Sequence, residues 1–317
     1  MTLILREADV KRVIEMDAVI AAVEAAMREL GDGKAQNEPR RRAFAPGGML
    51  NVMFASYPGG GFTGLKAYTI AGGRVRFLVV LFGLDGALEA LVEADLMGMY
   101  RTGAATGVAV KALAPKGAAT VALIGAGKQA TTQALAVSRV IKIQDLRVFS
   151  RDKEKRTAFA LETEDRLGVR TTAADSAESA VRGADVVIAM TSSSEPVFEA
   201  SWVEDHALVV GAGCNFPTRS EIPADLVARA QTVVVDQLAA ATLESGDLIL
   251  AHQAGKFDWE RAIELASVLA GRWKAPDHPG ITLFESHGLA LWDLAAGSVV
   301  LNAARARRLG EEVALFV

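Results

Sequence analysis

Residues 121–130, VALIGAGKQA, constrain this chain more than any other stretch. An apolar strand over 120–124 runs straight into Gly125-x-Gly127-x-x-Ala130, and a helical pattern follows from about Gln129 to Val140. Gly125 permits the tight turn, Gly127 lets the backbone approach a pyrophosphate, and Ala130 lets helix and strand pack closely. The helix start then offers N–H groups and a positive dipole end to an anion. A glycine turn of this kind also occurs in α/β sheets that bind no nucleotide. The strand, turn and helix in the right order favour the dinucleotide.

The tip of the next strand bears on which nucleotide. A site for NAD usually carries Asp or Glu there, bonded to the ribose 2′-hydroxyl. Here the strand over 146–149 ends Phe149-Ser150-Arg151-Asp152-Lys153, with Arg151 where the acid would stand. A guanidinium can hold a 2′-phosphate through charge-assisted hydrogen bonds. NADPH is therefore expected over NADH, with Ser150 and Arg151 at the phosphate. The competing reading makes Arg151 a solvated charge and gives the ribose to Asp152.

The same alternation continues. A charged amphipathic helix is expected over 153–167, with further strands over 185–189, 207–210 and 232–235. Strands alternating with helices of this length imply an α/β, doubly wound parallel sheet. The first hundred residues read differently. Asp17 and Gly31 bracket a helix whose Val19, Ile20, Val23, Met27 and Leu30 share one face. Leu50, Val52 and Phe54 alternate as in a half-buried strand. Residues 77–82 and 87–92 flank Asp85-Gly86 as a hairpin. That is an α+β pattern, followed by an alanine-rich helix from Arg101 to Leu113. With 317 residues, two domains are expected, divided near Pro115 and Gly117. A final helix is expected over about 289–309.

Composition narrows the function classes. Net charge is −4 with acids and bases interspersed, which argues against a general nucleic-acid surface. One cysteine, Cys214, allows no internal disulfide and suits a reducing cytoplasm. Arg6, Glu7 and Asp9 are unlike a signal peptide, and no apolar run approaches the roughly 18 residues of a membrane span. No metal site is expected.

Five separated stretches together resemble the ornithine cyclodeaminase and mu-crystallin family. They are Gly64-Leu65-Lys66, Arg101-Thr102-Gly103-Ala104-Ala105, Leu123 to Gly127, Gly213-Cys214-Asn215 through Glu221-Ile222-Pro223, and Ser286-His287-Gly288-Leu289-Ala290. The resemblance implies a homodimer. Its substrate-binding and dimerisation domain would span 1–115, completed by 288–317, with a Rossmann domain over 116–287. It places Ala126, Gly127, Lys128 and Gln129 along the pyrophosphate beside Gly125, and Thr191 beside the nicotinamide ribose. It makes Arg41 the partner of a substrate carboxylate, with Arg42 as fallback, Lys66 the active-site lysine and Arg101 a second clamp. His287 would lie near the substrate, at a position usually small or apolar. Met53 and Tyr68 belong to the side chains that would shape the pocket.

Residue chemistry weighs on these roles. A row such as Arg40, Arg41 and Arg42 is often only a solvated face. Lys66 stands between Leu65 and Ala67 on an expected strand, where an unpaired buried amine is costly. Where the cyclodeaminases place an aspartate, this chain has Asn215. An amide is no general base, so ornithine cyclisation is disfavoured. The expected activity is NADPH-dependent reduction of imines of 2-oxo acids, with Lys66, Asn215 and His287 as the catalytic candidates. The alternatives are a cyclodeaminase with bound NAD and a non-catalytic NADPH-dependent binding protein.

Overall fold

The computed structural model describes residues 1–274, 276 and 280–315. It divides into two compact units, Met1–Ala105 with Gly288–Val317, and Thr106–His287.

The first unit opens with β1 (Thr2–Leu5), α1 (Glu7–Val13) and α2 (Met16–Gly31). Helix α2 starts ahead of Asp17, with Glu15 as its N-cap, and runs through Gly31. The reversal falls instead at Gly33, whose φ of 72° suits a residue without a β-carbon. The stripe of Val19, Ile20, Val23 and Met27 is buried. Strands β2 (Gln36–Asn37), β3 (Arg41–Ala45), β4 (Gly48–Tyr57), β5 (Phe62–Ala71), β6 (Arg74–Gly83) and β7 (Leu88–Glu93) follow. The Asp85-Gly86 hairpin forms between β6 and β7, with Gly86 at φ 86°. Helix α3 (Asp95–Leu113) starts six residues before Arg101. Its cap comes from a distance: the Glu7 carboxylate accepts the backbone N–H groups of Asp95 and Leu96. Arg101 is thus an interior helical residue rather than the helix start expected from the sequence.

The second unit carries β8 (Thr120–Ile124), α4 (Ala130–Val140), β9 (Asp145–Phe149), α5 (Lys153–Leu167), β10 (Thr171–Ala173), α6 (Ala177–Val181), β11 (Val186–Ala189), β12 (Leu208–Gly211), α7 (Ala224–Arg229), β13 (Thr232–Val235), α8 (Leu238–Glu244), α9 (Gly246–Gln253), β14 (Ala262–Glu264), α10 (Leu265–Leu269) and β15 (Thr282–Glu285). The sheet order is β10-β9-β8-β11-β12-β15-β13-β14, and every pairing is parallel. Its first five strands follow the 3-2-1-4-5 order of doubly wound dinucleotide folds. Strands β11, β12 and β13 are buried at every position, as a parallel sheet covered on both faces requires. Strand β15 escapes the sequence reading because only two of its residues, Leu283 and Phe284, are apolar, too few for an apolar run. It nevertheless lies between β12 and β13.

The chain then returns to the first unit as α11 (Ala290–Ala306) and β16 (Glu311–Val313). Among the described residues this unit's sheet has the order β16-β1-β7-β6-β5-β4-β2, with β3 added beside β4. Helix α11 packs on β4, β5 and β6. Register decides which side chains meet it. Met53, Lys66 and Val79 are directly paired and therefore share one face. All three are buried. Leu50, Val52 and Phe54 occupy the opposite face of β4, where Leu50 and Phe54 are exposed. The alternation read in the sequence is real, but its apolar members point away from the core. Both faces of this strand are largely apolar, so periodicity alone does not say which is covered.

Candidate active site

In the first unit β5 delivers Lys66 to the covered face, where it is 2% exposed. Burying an ammonium costs several kcal/mol unless it is paired. The pairing comes from the first turn of α11: Lys66 Nζ donates to Asp293 Oδ1 at 2.8 Å. Arg101 Nε donates to the same oxygen at 3.1 Å. The Lys66 ammonium also sits 5.0 Å from the centre of the Phe77 ring, and Phe77 packs against Tyr68. Burial and the nearby Arg101 lower the Lys66 pKa to about 8, against the opposing pull of Asp293. Asp293 Oδ2 and Asn51 Nδ2 are buried with no hydrogen-bond partner among the described residues.

Lys66 and Arg101 are thus brought together, and Arg41 is not. Arg41 is exposed and pairs in register with Val52, on the face opposite Lys66. Its neighbour Arg40 is buried, lies over Tyr68 and adds its charge to the field at Lys66. Arg42 is half-buried and pairs with Asn51.

In the second unit the glycine turn has the expected strain. Gly125 adopts φ 120°, and a β-carbon there would strike the carbonyl oxygen of Met190. Gly127 has open space where a β-carbon would stand. Gln129, the N-cap of α4, makes no side-chain cap, so the first-turn N–H groups receive no side-chain acceptor from it. Ala126 is half-buried, while Gly127, Lys128 and Gln129 are exposed. These features fit a diphosphate. Beside the turn, Gly125 N–H donates to Phe149 O at 2.8 Å. Arg156 donates to Ser150 O at 3.1 Å and stacks on Phe149, fixing the strand tip. Arg151 is exposed there. Asp152 caps α5, accepting Lys155 N–H at 3.1 Å, with Lys155 Nζ 3.5 Å away.

Beyond β11, Thr191 N–H donates to Glu221 Oε1 at 2.7 Å. Burial pushes the Glu221 carboxyl up to about 7 despite the hydrogen bonds from Thr191. A β-carbon on Gly213 would strike Glu221 Oε2. Glycine is therefore required in the loop that carries half-buried Asn215. Asp247 Oδ1 ties down the segment before α7, accepting Ser220 Oγ, Glu221 N–H and Ile222 N–H at 2.7–2.8 Å.

His287 is fully buried between two carboxylates. Nδ1 lies 3.2 Å from Asp236 Oδ1, and Nε2 lies 3.6 Å from Glu285 Oε2. Burial opposes its charge, but the two acids outweigh burial and raise its pKa to about 10. Burial and the nearby Asp247 push the Glu285 carboxyl up to about 8, although His287 pulls it down. Neither Asp293 nor this acid pair is among the sequence candidates. A usable signal existed for Asp236 alone: it is an acid at the carboxyl end of the apolar strand β13, where ligands of open α/β sheets bind.

The sequence profile of the Ornithine cyclodeaminase/mu-crystallin family matches residues 1–308. The chain belongs to that family. Among its relatives is an alanine dehydrogenase of Archaeoglobus fulgidus, 32% identical over 99% of each chain. A Delta(1)-pyrroline-2-carboxylate reductase of Bacillus cereus is 33% identical over 71% of this chain and 69% of that protein. Among solved family structures is the Thermococcus litoralis Delta(1)-pyrroline-2-carboxylate reductase in complex with NADH and L-proline. It superposes with a TM-score of 0.93 at 30% identity, covering 98% of this chain and 100% of that one. Family membership and strand order give the second unit a Rossmann-type fold. No helix of the described residues is long and apolar enough to cross a membrane.

Proposed function

We propose that this chain is an NADPH-dependent reductase of cyclic or linear imines of 2-oxo acids, producing amino acids. The observation that carries the reading is the buried Lys66–Asp293–Arg101 cluster, which sets a guanidinium beside an amine whose pKa burial lowers to about 8. The kinship to pyrroline-2-carboxylate reductases supports the substrate class.

When bound, the cofactor supplies a hydride from its nicotinamide C4. The chain's own residues do the rest. Arg101, with Arg40 in the role first given to Arg41, holds the substrate carboxylate. Holding it fixes the orientation of the C=N bond, which supplies much of the rate enhancement. The Lys66 ammonium would give the imine nitrogen the proton that accompanies this hydride. Water then reprotonates Lys66. Asn215 can hydrogen-bond a substrate nitrogen but cannot take a proton from it, which disfavours the cyclodeaminase reading.

The preference for NADPH rests on the tip of β9. Asp152 already accepts Lys155 N–H as the cap of α5 and pairs with Lys155 Nζ, while exposed Arg151 beside it offers a guanidinium suited to a 2′-phosphate. The homodimer rests on the uncovered face of β4 to β6, where Leu50, Phe54 and Leu78 are exposed.

The test is spectrophotometric. Purified protein with NADPH is screened over cyclic imino acids, and over 2-oxo acids with ammonia or methylamine. NADPH oxidation with a cyclic imine is expected. No oxidation across the panel overturns the reading. Ammonia released from ornithine without net cofactor turnover would favour the lyase instead.

A further inference from the structure

We propose that Asp293 is a positioning residue of this site: a single oxygen of its carboxylate fixes the Lys66 ammonium for proton delivery and turns the Arg101 guanidinium toward the substrate carboxylate. The proposal rests on the reductase reading above.

Three observations support it. First, Oδ1 accepts from both Lys66 Nζ, at 2.8 Å, and Arg101 Nε, at 3.1 Å, so one atom sets the separation of the two cations. Second, Arg101 is tied through Nε. Its NH1 and NH2 therefore remain as a planar two-nitrogen edge of the kind that matches a carboxylate. Third, Asp293 is wholly buried in the first turn of α11, where the helix dipole favours a negative charge. The described hydrogen bonds of its carboxylate go to these two side chains, and Oδ2 makes none among the described residues. An acid needed only to neutralise buried charge would gain by engaging both oxygens.

The charged groups facing Lys66 among the described residues are Arg101 on α3, Arg40 ahead of β3 and Asp293 on α11. Two of them are cations and, like burial, favour the neutral amine. Asp293 alone opposes them. The proton-donating form of Lys66 exists below its pKa and is lost as pH rises through it. Removing the Asp293 charge must lower that pKa, so the alkaline fall in kcat/KM must move to lower pH.

The experiment compares Asp293→Asn with the wild-type protein on whichever imine the wild type reduces. The alkaline limb should move acidward by about one unit or more, with KM raised about tenfold through the loosened Arg101. A second arm uses Lys66→Met, alone and combined with Asp293→Asn, which also covers the case in which the single Asn variant folds poorly. If Asp293 acts on the proton step through Lys66, the double variant's kcat should lie within about threefold of Lys66→Met. An unmoved pH limb, or losses that multiply in the double variant, overturns the proposal. A wild-type protein that reduces no imine fails the reductase reading itself, before any variant is made.

Discussion

Arg101 and Gly288 meet at the point where any other residue would carry a β-carbon. A β-carbon on Gly288 would stand 2.8 Å from Arg101 NH1 and 3.3 Å from NH2. Gly288 also adopts φ 89°, a conformation that L side chains rarely take. The guanidinium therefore rests against bare backbone just before α11 begins.

Gly288→Ala should displace the carboxylate end of Arg101 and strain the backbone by about 1–3 kcal/mol. We expect KM for the imino acid to rise roughly tenfold, as for loss of a charge-assisted hydrogen bond, with a smaller change in kcat. Steady-state kinetics and a thermal melt check both parts. An unchanged KM would remove Arg101 from the carboxylate.

Arg151→Ala should weaken NADPH binding by about tenfold or more and leave NADH binding nearly unchanged, because only the former carries the 2′-phosphate. Fluorescence titration of both nucleotides decides it. Equal losses would place the 2′-phosphate elsewhere.

Stability should depend on pH through His287. Its folded-state pKa of about 10 lies above the ordinary 6.5. A raised pKa contributes stability that is fully present below 6.5 and lost as pH rises toward 10. Glu285, raised from 4.5 to about 8, has the same sign over its own window. Lys66, lowered from 10.5 to about 8, has the opposite sign, and its contribution grows as pH rises between those values. His287→Gln should lower the melting temperature near neutral pH and flatten its decline over the His287 window. Parallel wild-type and variant curves would contradict the assignment.

Phe54→Glu places a charge in the uncovered apolar face of the first unit's sheet. If that face meets a second copy, the variant should run as a monomer in sedimentation velocity, where the wild type runs as a dimer. A dimeric variant would point to another interface.

Legibility followed the range of the interactions. Helix α5 and strand β13 match their expected bounds, because amphipathic period and apolar runs are local signals. The start of α3 was missed because its cap is Glu7, 88 residues away from Asp95. The alternation of β4 was visible, yet the exposed side of the strand was not, since only the docking of α11 chooses between two apolar faces.

Local residue order sufficed for the glycine turn after Ile124, the α/β alternation around it and the isolated lysine at position 66. Backbone sterics and hydrophobic period act over a few residues and need no partner. It took the folded chain to show that Arg40 rather than Arg41 turns toward Lys66, because a shift of one residue along an extended chain reverses the side-chain face. Folding also supplied Asp293, 227 residues from the lysine it holds. Such a pairing is created by the return of the last helix onto the first sheet, and no local pattern encodes it.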